Sequence, residues 1–302
     1  MKSASLLILI FCSFYFKVPN LNAQGCSDAG FCTIHSIKPQ LEDSTFTSNN
    51  TFKLGTAYGV AQYNVLVITP YLEYTRRHGK LGFSAKLLMG VRSGELTTTS
   101  GLADIILSTS WQTSPKLQLS GAIKLPFNKA DKTANGLPLP MAYQTSLGTT
   151  DLILGASFKI NEWLVSTAWQ QPLNQNNNAF LFDDYPDGEL NDPYLSTNGY
   201  KRKGDVLVRI SRSAILSEKM TLSYSLLPIY HLGNDSYLNS NGEELSIYKS
   251  KGLTLNLNAF VQYQLNESSA LEFNVGAPIM ARKNRPDGLS QFAVALEYIV
   301  SF

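Results

Sequence analysis

The feature that most constrains this chain is a two-residue alternation that runs from residue 51 to the last residue. Its clearest stretch places Phe292, Val294, Leu296, Tyr298, Val300 and Phe302 on one face. The other face holds Gln291, Ala293, Ala295, Glu297 and Ser301, with Ile299 the exception. A period of two is that of a β-strand, whose successive side chains point to opposite sides. The same pattern recurs in Leu81–Val91, Leu253–Tyr263 and Leu271–Ile279, and twelve such segments span 51–63, 65–75, 81–91, 101–112, 117–126, 148–159, 162–172, 204–215, 219–230, 251–264, 269–280 and 289–302. Most run 10 to 14 residues, whereas strands of soluble proteins run about five or six. A tilted strand needs about 9 to 11 residues to cross a bilayer.

The connections carry a second signal. Links at 76–80, 113–116, 160–161, 216–218 and 265–268 are short, and those at 92–100, 127–147, 173–203, 231–250 and 281–288 are longer. They alternate, apart from a first hairpin near Asn64. With both termini on the periplasmic side, every long link lies outside and every short one inside. This is the asymmetry of outer-membrane barrels, and an even strand number fits it. A soluble β-sandwich would also alternate, but it fills its interior with large side chains. Here the polar-side positions hold Gly, Ala, Ser, Asn and charges. The expectation is an all-β, transmembrane antiparallel barrel of about twelve strands over 51–302, with short periplasmic turns and long extracellular loops.

Composition narrows the partners. Only 16% of residues are charged and the formal net charge is +2, so no basic field points to nucleic acid. The longest apolar run, Leu6–Phe16, is broken by Cys12 and Ser13 and is too short for a spanning helix. Lys2, that run, Pro19-Asn20 and the small Ala23 have the order of a cleavable export signal over 1–23. Its removal takes Lys2 and Lys17 and leaves acidic and basic residues equal in number. Cys26 follows Ala23-Gln24-Gly25, which lacks the aliphatic residue usual before a lipid-modified cysteine. Cys26 and Cys32 then read as a small-loop disulfide in an oxidising compartment. A metal site with His35 lacks a fourth ligand. Residues 24–50 do not alternate. They either enter the lumen as a plug or lie in the periplasm.

With the apolar face toward lipid, the inward face contains Lys53, Lys86, Arg92, Lys124, Lys159 and Arg209 together with Glu73, Asp104, Asp151, Asp205, Glu272 and Glu297. Balanced signs suit pairing that braces the lumen more than a single-signed ion filter. Lys86, Asp104, Lys124, Asp151, Arg209 and Glu272 are the residues expected to line or brace a path. Asp104 and Asp151 look like an internal echo, each following a glycine and pointing inward near a strand end.

Three stretches carry a family resemblance: Gly101-Leu102-Ala103-Asp104-Ile105-Ile106-Leu107, then Gly121-Ala122-Ile123-Lys124-Leu125-Pro126, then Ser146-Leu147-Gly148-Thr149-Thr150-Asp151-Leu152-Ile153-Leu154-Gly155. This succession resembles the outer-membrane family named after the MetA (meta-cleavage) pathway of phenol degradation, over roughly 80–160. The chain departs from the family at Ala103, Phe127-Asn128 and Thr149. The resemblance implies a barrel that passes small, often aromatic or hydrophobic, compounds. Gly25–Cys32 looks like a leader on such barrels from the Bacteroidetes group.

Other function classes are weaker. An outer-membrane phospholipase needs a Ser activated by a His, and Tyr230-His231 through Asp235-Ser236 only superficially offers one. His35 lies in the leader and His78 in a short turn. The 173–203 loop clusters Asp183, Asp184, Asp187 and Glu189, oxygens of the type that hold Ca²⁺, but their spacing matches no calcium loop. Its end, Lys201-Arg202-Lys203, reads as a solvated base facing lipid phosphates. No cofactor and no catalytic residue are expected. The expected partners are outer-membrane lipids, a small solute, and the assembly machinery that reads a closing strand ending in Phe302. The expected role is passive passage of small organic solutes. A closed barrel serving as structure or surface binder is the alternative, with a lipid hydrolase behind it.

Overall fold

The structure, a computed structural model, describes residues 49–186, 190, 192–290 and 292–302. The expected signal 1–23, nearly all of the 24–50 segment with Cys26, Cys32 and His35, and the loop residues Asp187 and Glu189 lie outside them.

Twelve antiparallel strands close into one barrel: β1 (Asn50–Val60), β2 (Leu66–His78), β3 (Leu81–Ser93), β4 (Thr98–Ser114), β5 (Leu117–Pro126), β6 (Asp151–Ile160), β7 (Trp163–Pro172), β8 (Asp205–Ser217), β9 (Met220–His231), β10 (Gly252–Asn266), β11 (Ser269–Met280) and β12 (Phe292–Ser301). Each pairs with its neighbour in the chain. The barrel is sealed by β1 against β12, in register from Thr51–Ser301 to Val60–Phe292. Closure leaves no unpaired edge, as a sheet in hydrocarbon requires.

The alternation places the apolar face outside. Leu54, Phe83, Trp111, Leu154, Trp163, Leu257, Leu296 and Tyr298 are exposed, while Lys53, Glu73, Lys86, Lys124 and Glu297 on the opposite face are buried. A water-soluble sheet would reverse this distribution.

The links divide the barrel into two ends. Two-residue turns at 79–80, 115–116, 161–162, 218–219 and 267–268 mark one end. The other carries 61–65, 94–97, 127–150, 173–204, 232–251 and 281–291. The link expected at 92–100 is only 94–97, because the pairing continues through Thr98–Ser100. His78 closes β2, so the turn is Gly79-Lys80, with Gly79 at φ 57° where a side chain would be strained. The strands expected to open at 148 and 289 open at Asp151 and Phe292. Gly148 sits at φ 69°, which breaks the extended run, and Leu289 and Ser290 are buried loop residues.

The barrel interior is layered. Lys124, Asp151, Gln170, Asp205 and His231 are inward residues near the long-loop ends of β5 to β9. Two residues further from that mouth on the same strands lie Ala122, Ile153, Ala168, Leu207 and Ile229, part of one buried apolar cluster. Register joins several members directly, Ala122 to Ile153, Ala168 to Leu207 and Leu207 to Ile229. Toward the short turns the lining becomes hydroxyl. Ser84 bonds Ser108 at 2.9 Å, Ser157 bonds Ser166 at 2.8 Å and Ser213 bonds Ser223 at 2.6 Å.

Candidate functional site

The long-loop mouth is filled by its own loops. Between β5 and β6 the run from Leu139 to Thr149 is buried throughout. Two hydroxyls tie this run to the wall: Ser146 donates to Asp104 and Thr149 donates to Asp151, each at 2.7 Å. The echo of the two aspartates is therefore an echo of partners, although Asp104 lies well inside β4 and is half-buried. Backbone room comes from glycines. A Cβ on Gly90 would lie 3.0 Å from Thr145, and one on Gly94 would lie 2.4 Å from the Tyr143 hydroxyl. Gly288, at φ 66°, lets the 281–291 loop meet Met141, where a Cβ would stand 2.5 Å from backbone. Arg92, Asp104, Gln144, Ser146 and Asp287 enclose a cavity of ≈ 10 Å³, about the space of one water. Asn176 and Asn178 fasten the 173–204 loop by donating to the carbonyls of Leu147, Ala130 and Leu139 at 2.9–3.0 Å.

Beside this plug runs a buried charge cluster. His231, at the end of β9, places Nδ1 2.7 Å from Asp205 Oδ1 and Nε2 2.8 Å from Asp235 Oδ1. Arg202 pairs with the other oxygen of Asp205. Asp235 also accepts from the Tyr200 hydroxyl at 2.9 Å and the Lys203 amide at 2.8 Å. Its backbone N–H donates to Ser250 Oγ at 2.8 Å. Arg282 stands 3.9 Å from Asp235, pairs with Asp287, and donates to the Ser250 carbonyl at 2.9 Å. Burial acts to raise the Asp287 pKa, but Arg282, Arg285 and Arg202 hold it below the usual carboxylate range. Arg285 is pulled down to about 10 by burial. Burial, then Asp235, pushes the Tyr200 hydroxyl well up.

A second set of charges stays within the wall, around the β12–β1 seam. Lys53 lies 3.8 Å from Glu297 and Lys86 lies 3.5 Å from Glu73. Register sets Lys53 opposite Glu73, Glu73 opposite Lys86, and Glu272 opposite Glu297. The Tyr71 hydroxyl bonds Glu297, and Lys86 sits 3.7 Å above the Tyr71 ring. Gly55 makes space for that ring, since a Cβ there would fall 2.4 Å from it.

Of the residues singled out in the sequence, Lys86, Lys124, Asp151, Arg209 and Glu272 are buried inside the barrel, and Lys124 pairs with Asp151 at 3.1 Å. The resolved pairs link neighbouring strands around the wall. Lys159 is exposed near a short turn. Arg202, expected to face lipid phosphates, is buried against Asp205, because that carboxylate turns into the lumen. Asp183 and Asp184 lie on an exposed 3-10 turn. Among the described residues no three His, Cys, Asp or Glu side chains form a metal-holding group. His231 faces the lumen, and Ser236 donates to Glu244 at 2.6 Å, so this pair is not arranged as nucleophile and base. The joining of Asp205, Asp235 and Asp287 through His231 and two arginines is not legible in the sequence. Its only trace there is the charge at 202–205, 231–235 and 282–287, three stretches distant in the chain.

No protein-family model and no curated protein matches the chain. Several solved barrels are similar in shape. CymD, a monoaromatic hydrocarbon channel, is 12% identical over 94% of this chain and 99% of that one, with a TM-score of 0.48. The NanC porin is 7% identical over 83% and 98%, TM-score 0.45. TbuX, the toluene transporter of Ralstonia pickettii, is 11% identical over 85% and 90%, TM-score 0.41. These likenesses are of barrel shape alone.

Proposed function

We propose that the chain is an outer-membrane barrel for passive passage of small organic solutes, and that its long-loop mouth is closed in the arrangement described above. The carrying observation is the apolar collar of Ala122, Ile153, Ala168, Leu207 and Ile229, part of a larger buried apolar cluster that lies between the charged mouth and the hydroxyl-lined short-turn end. Small aliphatic side chains next to a hydrogen-bonded mouth suit a solute with little polarity, such as a monoaromatic compound, more than a sugar. The MetA-pathway resemblance agrees with this. In this reading the long loops face outward, Lys86, Asp104, Lys124, Asp151, Arg209 and Glu272 line or brace the path, and Phe302 serves assembly. Residues 1–23 direct export, and the Cys26–Cys32 segment acts as an additional plug.

Membrane insertion has a direct test. All three tryptophans, Trp111, Trp163 and Trp169, are on the outer face, so brominated lipid is expected to quench their fluorescence strongly. Function is tested by conductance and by uptake of toluene against a disaccharide in liposomes, with and without residues 24–48. Faster toluene uptake supports the reading, and a further rise on truncation supports the plug. The buried mouth favours a second reading, a barrel with a permanently closed lumen. No uptake from the full chain, from the truncation, or after excision of residues 139–147 would establish it.

A further inference from the structure

The charge cluster at the mouth has a composition that bracing alone does not require. Three long loops and two strands meet in it. Tyr200, Arg202 and Lys203 come from 173–204, Asp235 and Ser250 from 232–251, Arg282 and Asp287 from 281–291. Asp205 and His231 are the ends of β8 and β9. Tyr200, Arg202, Asp205, His231, Asp235, Ser250, Arg282 and Asp287 are each 6% exposed or less. His231 is the junction. A carboxylate oxygen only accepts, so with both aspartates ionised the ring between them holds a proton on each nitrogen, as an imidazolium. Three carboxylates then face two directly paired guanidiniums, of Arg202 and Arg282, with the imidazolium as the third cation. Arg285 stands behind Asp287 and donates to the Leu289 carbonyl at 2.7 Å.

We propose that His231 is a proton-controlled latch: as imidazolium it holds the three loops over the mouth, and its deprotonation releases them. Loss of one proton leaves a lone pair 2.7 or 2.8 Å from a carboxylate oxygen. The three carboxylates are then left with two directly paired guanidiniums, and one carboxylate oxygen at the ring loses its donor, a costly state that the cluster escapes by admitting water. Because 281–291 touches Met141 through Gly288, release of this cluster also frees the inward 139–149 run. Opening therefore increases as pH rises above neutrality. This rests on the passage reading for its effect on flux, but not for the movement of the loops.

The test uses the full barrel in lipid vesicles. The chain has three histidines, so ¹⁵N-histidine NMR can follow the His231 ring directly while hydrogen exchange reports protection factors for the Lys203 and Ile247 amides. Expected is loss of protection, by tenfold or more, in step with loss of the imidazolium signal. His231→Gln is expected to show low protection at every pH, with His78→Gln unchanged. Protection in the native chain that is constant while the His231 ring titrates, or a His231 ring neutral at pH 7, overturns the latch. Loops that release while solute flux stays nil uphold the latch and overturn the passage reading instead. Should His231→Gln fail to insert, the titration of the native chain alone decides.

Discussion

The seam and the mouth use the same chemistry for different ends. At the seam, Lys53, Glu73, Lys86 and Glu297 project from adjacent strands whose backbones are already fixed by sheet hydrogen bonds. At the mouth, Arg202, Asp235, Arg282 and Asp287 belong to loops, and only Asp205 and His231 belong to strands. A buried pair between two rigid partners can do little except stiffen them. One between a rigid wall and a loop sets how often that loop leaves. Buried charge is costly in either place unless paired, so the location of the pair, not its strength, separates a brace from a fastening.

Breaking the seam tests this most severely. Lys53→Ala removes the ammonium that lies 3.8 Å from Glu297 and opposite Glu73. That takes one of two lysines from a buried set with three carboxylates, Glu73, Glu272 and Glu297, and a buried charge deprived of its partner costs about 3–5 kcal/mol. Urea unfolding in vesicles should show that loss with the mouth loops still protected. The mouth should behave in the opposite way. Gly288→Ala forces a side chain onto φ 66° and against the Met141 backbone, a strain of about 1–3 kcal/mol. Exchange protection in 139–149 should fall while the barrel unfolding midpoint barely moves. Equal effects of these two changes on global unfolding would erase the distinction.

Acid sharpens the comparison from another side. The Asp287 pKa is depressed in the folded protein, so its contribution is complete above the unfolded value of about 3.9. It is lost as pH falls through the lower folded value. Loop 281–291 should therefore loosen on acidification, and Asp287→Asn should already be loose at neutral pH, read as protection of the Leu289 amide. The smallest effect belongs to charge outside both regions. Arg212 and Glu162 pair at the short-turn end with 41% and 68% of their side chains exposed. Arg212→Ala should shift the urea midpoint by less than about 1 kcal/mol, and less still in high salt.

The sequence discloses the wall far better than the mouth, for a physical reason. A strand crossing between lipid and lumen must alternate, so Phe52, Leu54 and Tyr58 against Lys53, Gly55 and Ala57 record their own orientation. Even the inward placement of Lys124 and Asp151 follows from that period. A loop has no period. Nothing around Met141–Tyr143 shows that this stretch folds inward, because the room for it is left by distant glycines, Gly90 and Gly94. Likewise, Arg202 looks like a surface base until Asp205 is known to face the lumen. Contacts between loops distant in the chain, such as Tyr200 with Asp235, need the barrel to be built before they can be seen.

The seam also has a kinetic meaning. Thr51 and Ser301, neighbours across it, are 250 positions apart in the chain. Every other strand pair can zip locally, but this one waits for the last strand to arrive, the slowest kind of contact to form. Until then the growing sheet carries two open edges able to capture another chain. Delivery of β12 thus closes the barrel, and a chain without it would keep the edges of β1 and β11 open.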